Sequence, residues 1–265
     1  MPYLYEMAAC ALTNKDWCDF LNAVGQNAVS VHKLYHKDMT TGVLGGIDTT
    51  DGCYAPKTGW EKKPVVYVTY TSLLRYCNWR QTGDTESGAY DLTAQPPRRR
   101  VGAQYFLPTD DEWYKAAYFD PKASRYWLYP TCSDDLPSQT AANYEKGDAF
   151  AKGPPYYLAD VDEYAETPSP WGVVQMGGNA WEYLEDTWMI NGQLVNKLRG
   201  GSFGYTETGL ASTNTDVGKY DKRCYVFGAR LAHSPDGWHP VRKPFRYVVW
   251  LKLRRYLHVL RVLHG

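Results

Sequence analysis

No stretch of this 265-residue sequence approaches the roughly 20 consecutive apolar residues that a membrane-spanning helix needs. The opening residues, Pro2-Tyr3-Leu4-Tyr5-Glu6, lack the basic cluster and long apolar run of a secretory leader, so a cytoplasmic location is expected. The six cysteines, at positions 10, 18, 53, 77, 132 and 224, include no C-x-x-C pair. That argues against a cysteine-based zinc site and for free, mostly buried thiols in a reducing compartment. Glycine and proline are plentiful but show no period, which excludes a collagen-like chain and points to loops and turns. Net charge is also lacking: 29 basic residues balance 29 acidic ones.

That balance is uneven along the chain. After Pro235 there are seven basic residues (Arg242, Lys243, Arg246, Lys252, Arg254, Arg255, Arg261) and one acid, Asp236. The tail therefore carries about +6 and the body about −6, and an acidic body argues against nucleic-acid binding by the main domain. Aromatic residues are abundant, with 23 Tyr and 10 Trp. Such side chains serve cores and binding surfaces equally well.

Along the chain, residues 3–12 read as an opening strand. Thr13 with Asp16 predicts a helix N-terminus, and Trp17, Phe20, Leu21 and Val24 recur at helical spacing, which predicts a helix over 14–24. Residues 25–63 read as a long loop region, where His32 and His36 with nearby Asp38 are solvated side chains or, alternatively, metal ligands. A strand at Pro64–Val68 and a helix capped by Thr69 and ending before Gly83 follow. Pro96-Pro97-Arg98-Arg99-Arg100 reads as a solvated turn. Thr109 with Glu112 predicts a capping box, its first turn rich in acids that the helix dipole favours. Residues 121–170 are irregular, and short strands and tight turns are expected from Trp171 to Leu198. Short helices followed by irregular β structure, with no internal repeat, predict an α+β fold in one domain over 1–234. Residues 235–265 form a basic tail. There Val249, Leu253, Tyr256, Leu260 and Leu263 recur at spacings of four and three, although β-branched residues and Trp250 leave a strand open. This amphipathic tail suits a partner protein, an acidic lipid surface, nucleic acid or the chain's own acidic body.

Five blocks stand out in order: Asn78-Trp79, Leu-Pro-Thr-x-x-Glu-Trp-x-x-Ala-Ala (107–117), Met-Gly-Gly-Asn-Ala-Trp-Glu-Tyr (176–183), Leu-Arg-Gly-Gly-Ser-Phe (198–203) and Gly-Ala-Arg-Leu-Ala (228–232). Together they resemble the formylglycine-generating enzyme (sulfatase-modifying factor) family, from about Tyr3 to Ala232. The resemblance implies a compact, loop-rich C-type lectin fold. It also implies an oxidase whose copper is held by two cysteines shortly after the Gly-Gly-Ser. Here Tyr205 and Leu210 stand near those places, and neither can replace a thiolate as a soft Cu(I) ligand, so no copper is expected. Relatives that use a histidine-held iron make an oxidative enzyme the alternative. The resemblance further implies a Ca²⁺ site at Gln175, Gly178, Ala180 and Glu182, with Gln175 where the family usually has Asn or Asp.

The segment between the last two blocks is polar and rich in Tyr and Gly, the mix that binding loops favour. Some lectin-fold members of the family it resembles are targets of diversity-generating retroelements, which randomise adenines of Asn codons in a C-terminal stretch. Gly204, Tyr205, Thr206, Thr208, Thr215, Asp216, Val217, Tyr220, Asp221, Cys224, Tyr225 and Val226 all lie within the residue set so produced. They are the expected ligand-binding residues, for a protein or small-molecule ligand at a tyrosine-rich face. A pure scaffold that recruits a partner through its basic tail is the second alternative.

Overall fold

A computed structural model describes residues 3–240; the amphipathic pattern expected over Val249 to Leu263 lies outside the described residues. Three helices begin on reciprocal caps. In α1 (Asn14–Val31) the Thr13 hydroxyl accepts the Asp16 N–H, and the Asp16 carboxylate accepts the Thr13 N–H at 2.9 Å. In α2 (Tyr70–Thr82) Thr69 and Ser72 do the same, and Gly83 closes the helix in the left-handed region (φ 82°). In α3 (Asp110–Tyr118) the pair is Thr109 and Glu112. The apolar stripe of α1 buries Trp17, Phe20 and Leu21, and Trp17 stacks on Tyr76 of α2 with ring centroids 5.6 Å apart. Burying Phe20 and Leu21 contributes roughly 1.5–3 kcal/mol each. The helix does not stop at Val24: it kinks at Gly25 (φ 78°, ψ 162°) and continues to Val31.

Seven of the strands build the two larger sheets: β1 (Glu6–Met7), β2 (Tyr105–Phe106), β3 (Trp181–Ile190), β4 (Gln193–Arg199), β5 (Asp216–Lys219), β6 (Phe227–Gly228) and β7 (Ala232–His233). One sheet has the order β1-β7-β2, and so joins the two ends of the domain through Glu6 opposite His233. The larger sheet has the order β5-β4-β3-β6 and is antiparallel except where β6 runs parallel to β3. The strand expected over 3–12 is reduced to β1. Pro64–Val68 is not a ladder strand: Tyr67 bends it with φ 60°, and it docks by single bonds, Val65 N–H to Leu12 O (2.8 Å) and Tyr67 N–H to Cys224 O (2.9 Å). The small sheets and few helices form the α+β, C-type-lectin-like arrangement expected.

Two expectations are corrected. The arginine run is not a solvated turn throughout. Arg99 is buried, donating to both oxygens of Glu112 (3.1 Å each) and to Glu185 (2.5 Å), because buried Glu112 and half-buried Glu185 would otherwise stand uncompensated. The domain also runs past residue 234: Trp238 exchanges backbone bonds with Gly102 and Ala103, and its ring lies under the Arg99 guanidinium.

Candidate functional site

The site is built outward from the turn before β3. Gly178 has φ 85°, and a Cβ there would lie 2.3 Å from the Asn143 carbonyl oxygen, so only glycine fits. The Asn179 side chain then ties the turn to a neighbouring loop. It accepts from Ala159 N–H (2.9 Å) and the Asn143 amide (3.0 Å), and donates to Ala159 O and to Gln175 Oε1 (2.7 Å).

Glu182, just inside β3, is buried. Its two oxygens accept from Arg230 Nε at 2.9 and 2.8 Å, and one also accepts from Trp113 Nε1 at 2.6 Å. Arg230 spends its remaining N–H groups on the carbonyls of Ala8, Ala9, Val174 and Gln175. One guanidinium thus joins the first and last of the glycine-rich blocks to the N-terminal segment. This bears on calcium. Gln175, Gly178, Ala180 and Glu182 do lie in one turn, but as arranged they do not fit a divalent cation. The carboxylate is balanced by Arg230, and the Gln175 amide nitrogen donates to Asp160 O (2.6 Å) and Glu163 O (2.7 Å). Among the described residues no group of three or more His, Cys, Asp or Glu side chains converges on one point. His32 faces Glu86 and His36 faces Asp38, so these histidines have separate partners.

After β4, Gly200 and Gly201 turn the chain back with φ 99° and 79°, and a Cβ at Gly201 would crowd the Gly209 backbone at 3.0 Å. This close pass folds 202–210 into a compact loop ending in a single 3₁₀ turn, Glu207–Leu210. The two residues near where the resemblance places the family's cysteines part company here. Leu210 is fully buried against Tyr129, Tyr144 and Ala142. Tyr205 is 44% exposed, sets its ring edge-on to buried Trp181 (centroids 5.1 Å apart), and points its hydroxyl at Asp216 Oδ2, 3.4 Å away. The Asp216 charge, followed by partial burial, pushes the Tyr205 phenol above its ordinary value.

The twelve expected binding residues divide into displayed and anchoring sets. Gly204, Tyr205, Thr206, Thr208, Thr215 and Tyr225 are exposed, and Asp216 and Val217 are half-buried on β5. The structure brings Tyr205 and Asp216 together. Tyr220, Asp221, Cys224 and Val226 instead fasten the segment. The Tyr220 ring leans on Tyr70, with centroids 5.6 Å apart, and Asp221 Oδ1 accepts from the Thr71 N–H (2.9 Å) and hydroxyl (2.8 Å) at the start of α2. Cys224 O accepts from Tyr67, and Val226 O accepts from Trp181 N–H at 2.8 Å. Asp221 and Tyr220 are therefore corrected from display to anchorage: unsatisfied N–H groups at a helix start demand an acceptor, and Asp221 supplies one.

The face has members the sequence did not single out. Glu145 N–H donates to Tyr205 O (2.9 Å), and across its short hairpin stands Phe150, 41% exposed. Phe150, Tyr157 and Phe203 form one aromatic cluster with centroid separations of 5.3 to 6.1 Å. Phe203 closes the 198–203 block, but Phe150 and Tyr157 lie in an irregular stretch with no periodicity to flag them. Their only signal was the density of aromatic residues between 144 and 157.

The chain matches the family described as the sulfatase-modifying factor enzyme 1-like domain over residues 3–235. It is 28% identical over 187 residues to a Mus musculus protein named inactive C-alpha-formylglycine-generating enzyme 2. That stretch is 68% of this chain and 48% of the relative, so the chain spans about half the relative's length. It is similar in structure to CarF, with a TM-score of 0.60 and 18% identity, covering 88% of this chain and 87% of that one. It is likewise similar to Treponema denticola variable protein 1, with a TM-score of 0.55 and 18% identity, covering 87% and 84%. At these identities the two structures establish a shared fold. No helix among the described residues is long and apolar enough to cross a membrane.

Proposed function

Since the chain belongs to the formylglycine-generating enzyme (sulfatase-modifying factor) family, we propose that it uses this lectin-like scaffold to bind a ligand without catalysing its oxidation. The observation that carries this reading is the loop Tyr205–Leu210. Where the family's oxidases hold copper between two thiolates, one position is a buried isobutyl group and the other an exposed phenol. Neither supplies soft sulfur ligation. Tyr205 offers contact area on a rigid ring at little cost in side-chain entropy, and the threonines around it offer adaptable hydrogen bonding. That one relative is named inactive is consistent with a branch in which the scaffold outlived the chemistry.

Displaying residues 204–208 and 215–217 on a fixed bracket is also what a diversified binder requires. The Glu182–Arg230 pair lies outside the segment, and Gly201 packs on the Gly209 backbone and not on an exposed side chain. We propose retroelement diversification of this segment on the strength of its composition. The flanking DNA tests it: a near-copy of the Leu198–Ala232 coding stretch, differing at adenines and next to a reverse transcriptase gene, is expected. Without such a copy, diversification fails while binding stands.

The binding reading itself is tested by selecting displayed peptides on the immobilised full chain, then measuring the affinity of the selected peptides for Tyr205→Ala. A loss of about tenfold is expected, in line with an interface tyrosine worth more than about 1 kcal/mol. Selected peptides that are all indifferent to Tyr205 would defeat the reading.

A further inference from the structure

Resting on that ligand-binding reading, we propose that the Tyr205 face is built for a cationic peptide segment, receiving Arg or Lys side chains on exposed rings bordered by Glu145, Glu207 and Asp216.

The charge pattern carries the inference. From Phe203 to Gly218 the sequence has two acids, Glu207 and Asp216, and no base. Asp216 stands beside the Tyr205 hydroxyl, and Glu145 follows in the neighbouring hairpin, whose backbone bonds Tyr205. Among the described residues none of these three carboxylates has a cationic partner, whereas three acids of the frame do: Asp110 pairs with Lys197 and Arg199, Glu112 with Arg99, and Glu182 with Arg230. The frame neutralises its own charge and the displayed face leaves its charge outstanding. Lys219, at the far end of β5, and Lys146, on the hairpin flank, are exposed and mark the borders of the acidic sector.

The aromatic surface fits the same partner. Tyr205 and Phe150 are each more than two-fifths exposed, and Trp181, Phe203 and Tyr157 support them from beneath. A guanidinium or ammonium group is attracted to an aromatic face and, beside a carboxylate, gains a second favourable partner. The chain already uses this pairing elsewhere: the Arg199 guanidinium sits 5.1 Å from the Tyr114 ring and also binds Asp110. Independently of the acids, Ser202 Oγ and Asn143 Oδ1, beneath the loop and the hairpin, are buried and have no hydrogen-bond partner among the described residues. Such unmet polar atoms are rare in folded proteins, and each can accept from a small donor that reaches it.

The test uses the full chain and two fluorescein-labelled octapeptides, one alternating Gly and Arg and one alternating Gly and Glu, read by fluorescence anisotropy. The Arg peptide is expected to bind, more weakly as salt rises, and the Glu peptide not to bind. Asp216→Asn and Glu207→Gln are each expected to weaken binding by about two- to fivefold, as for one exposed ion pair. Tyr205→Leu removes the ring and should weaken it by at least about fivefold, with thermal melts confirming that each variant is folded. Equal binding of both peptides, no binding of the Arg peptide, or indifference to all three substitutions overturns the proposal. Uncharged selected peptides that still need Tyr205 would overturn the charge preference and leave the ligand-binding reading standing.

Discussion

Arg230 closes the frame, and its partner Glu182 lies 48 positions earlier with both oxygens engaged. Removing one member of a buried pair strands the other charge, at a cost of about 3–5 kcal/mol. Arg230→Ala should therefore lower stability by about that amount in urea denaturation. A cost below about 1 kcal/mol would mean that Glu182 is balanced by something else. Because the guanidinium already neutralises the carboxylate, added Ca²⁺ should leave the Arg230-containing protein's melting temperature unchanged. A rise that vanishes in Glu182→Gln would restore calcium to this turn. At this scale the sequence was partly legible. Glu182 and Arg230 were visible as members of blocks, but their pairing was not, since nothing local encodes a contact over that separation. Arg99 was hidden for the same reason: its run of charge resembles a surface turn, and only Glu112 and Glu185 explain its burial.

Helix α3 shows what local chemistry does encode. Its cap was legible from Thr109 and Glu112 alone, and Thr109→Ala should cost about 1 kcal/mol. The acids of its first turn also set a pH dependence. Burial pushes Asp110 up, but its bonds to Arg199 and Lys197 outweigh that and hold its carboxyl below the usual range. Burial likewise opposes Arg99 at Glu112, and Arg99 prevails. Folded pKa values below the unfolded ones give stability that is present above about pH 4 and is lost as pH falls through the lowered values. Glu185 and Asp186, raised chiefly by burial, act in the opposite sense: the stability they add is present at low pH and declines as pH rises. The unfolding midpoint should therefore fall as pH drops from about 5 to 3, and Arg199→Met should flatten that fall. A midpoint indifferent to pH in this range would contradict the assignment. Boundaries were less legible than caps. Gly25 looks like a helix stop but acts as a kink, because the stripe resumes beyond it with buried Val29. Two-residue strands such as β1 and β7 exist only through the strands they pair with and leave no periodic trace.

Across the whole molecule, one segment is used in two ways. Its second half, Tyr220 to Val226, is strapped to α2 and to the 64–68 stretch, while its first half, with Asp216, stands out around Tyr205. Composition could not separate these halves, since both draw on the same Tyr, Asp and Thr, and only helix-end demand and strand pairing decide which residue is spent on the fold. The central claim is that this face binds where the family's oxidases react. Its most direct test is to incubate the full chain with copper, oxygen and a cysteine-containing peptide and to follow the peptide's mass. The cysteine should remain unconverted beyond a control of copper without protein. Conversion of that cysteine to an aldehyde only when the protein is present would contradict the account.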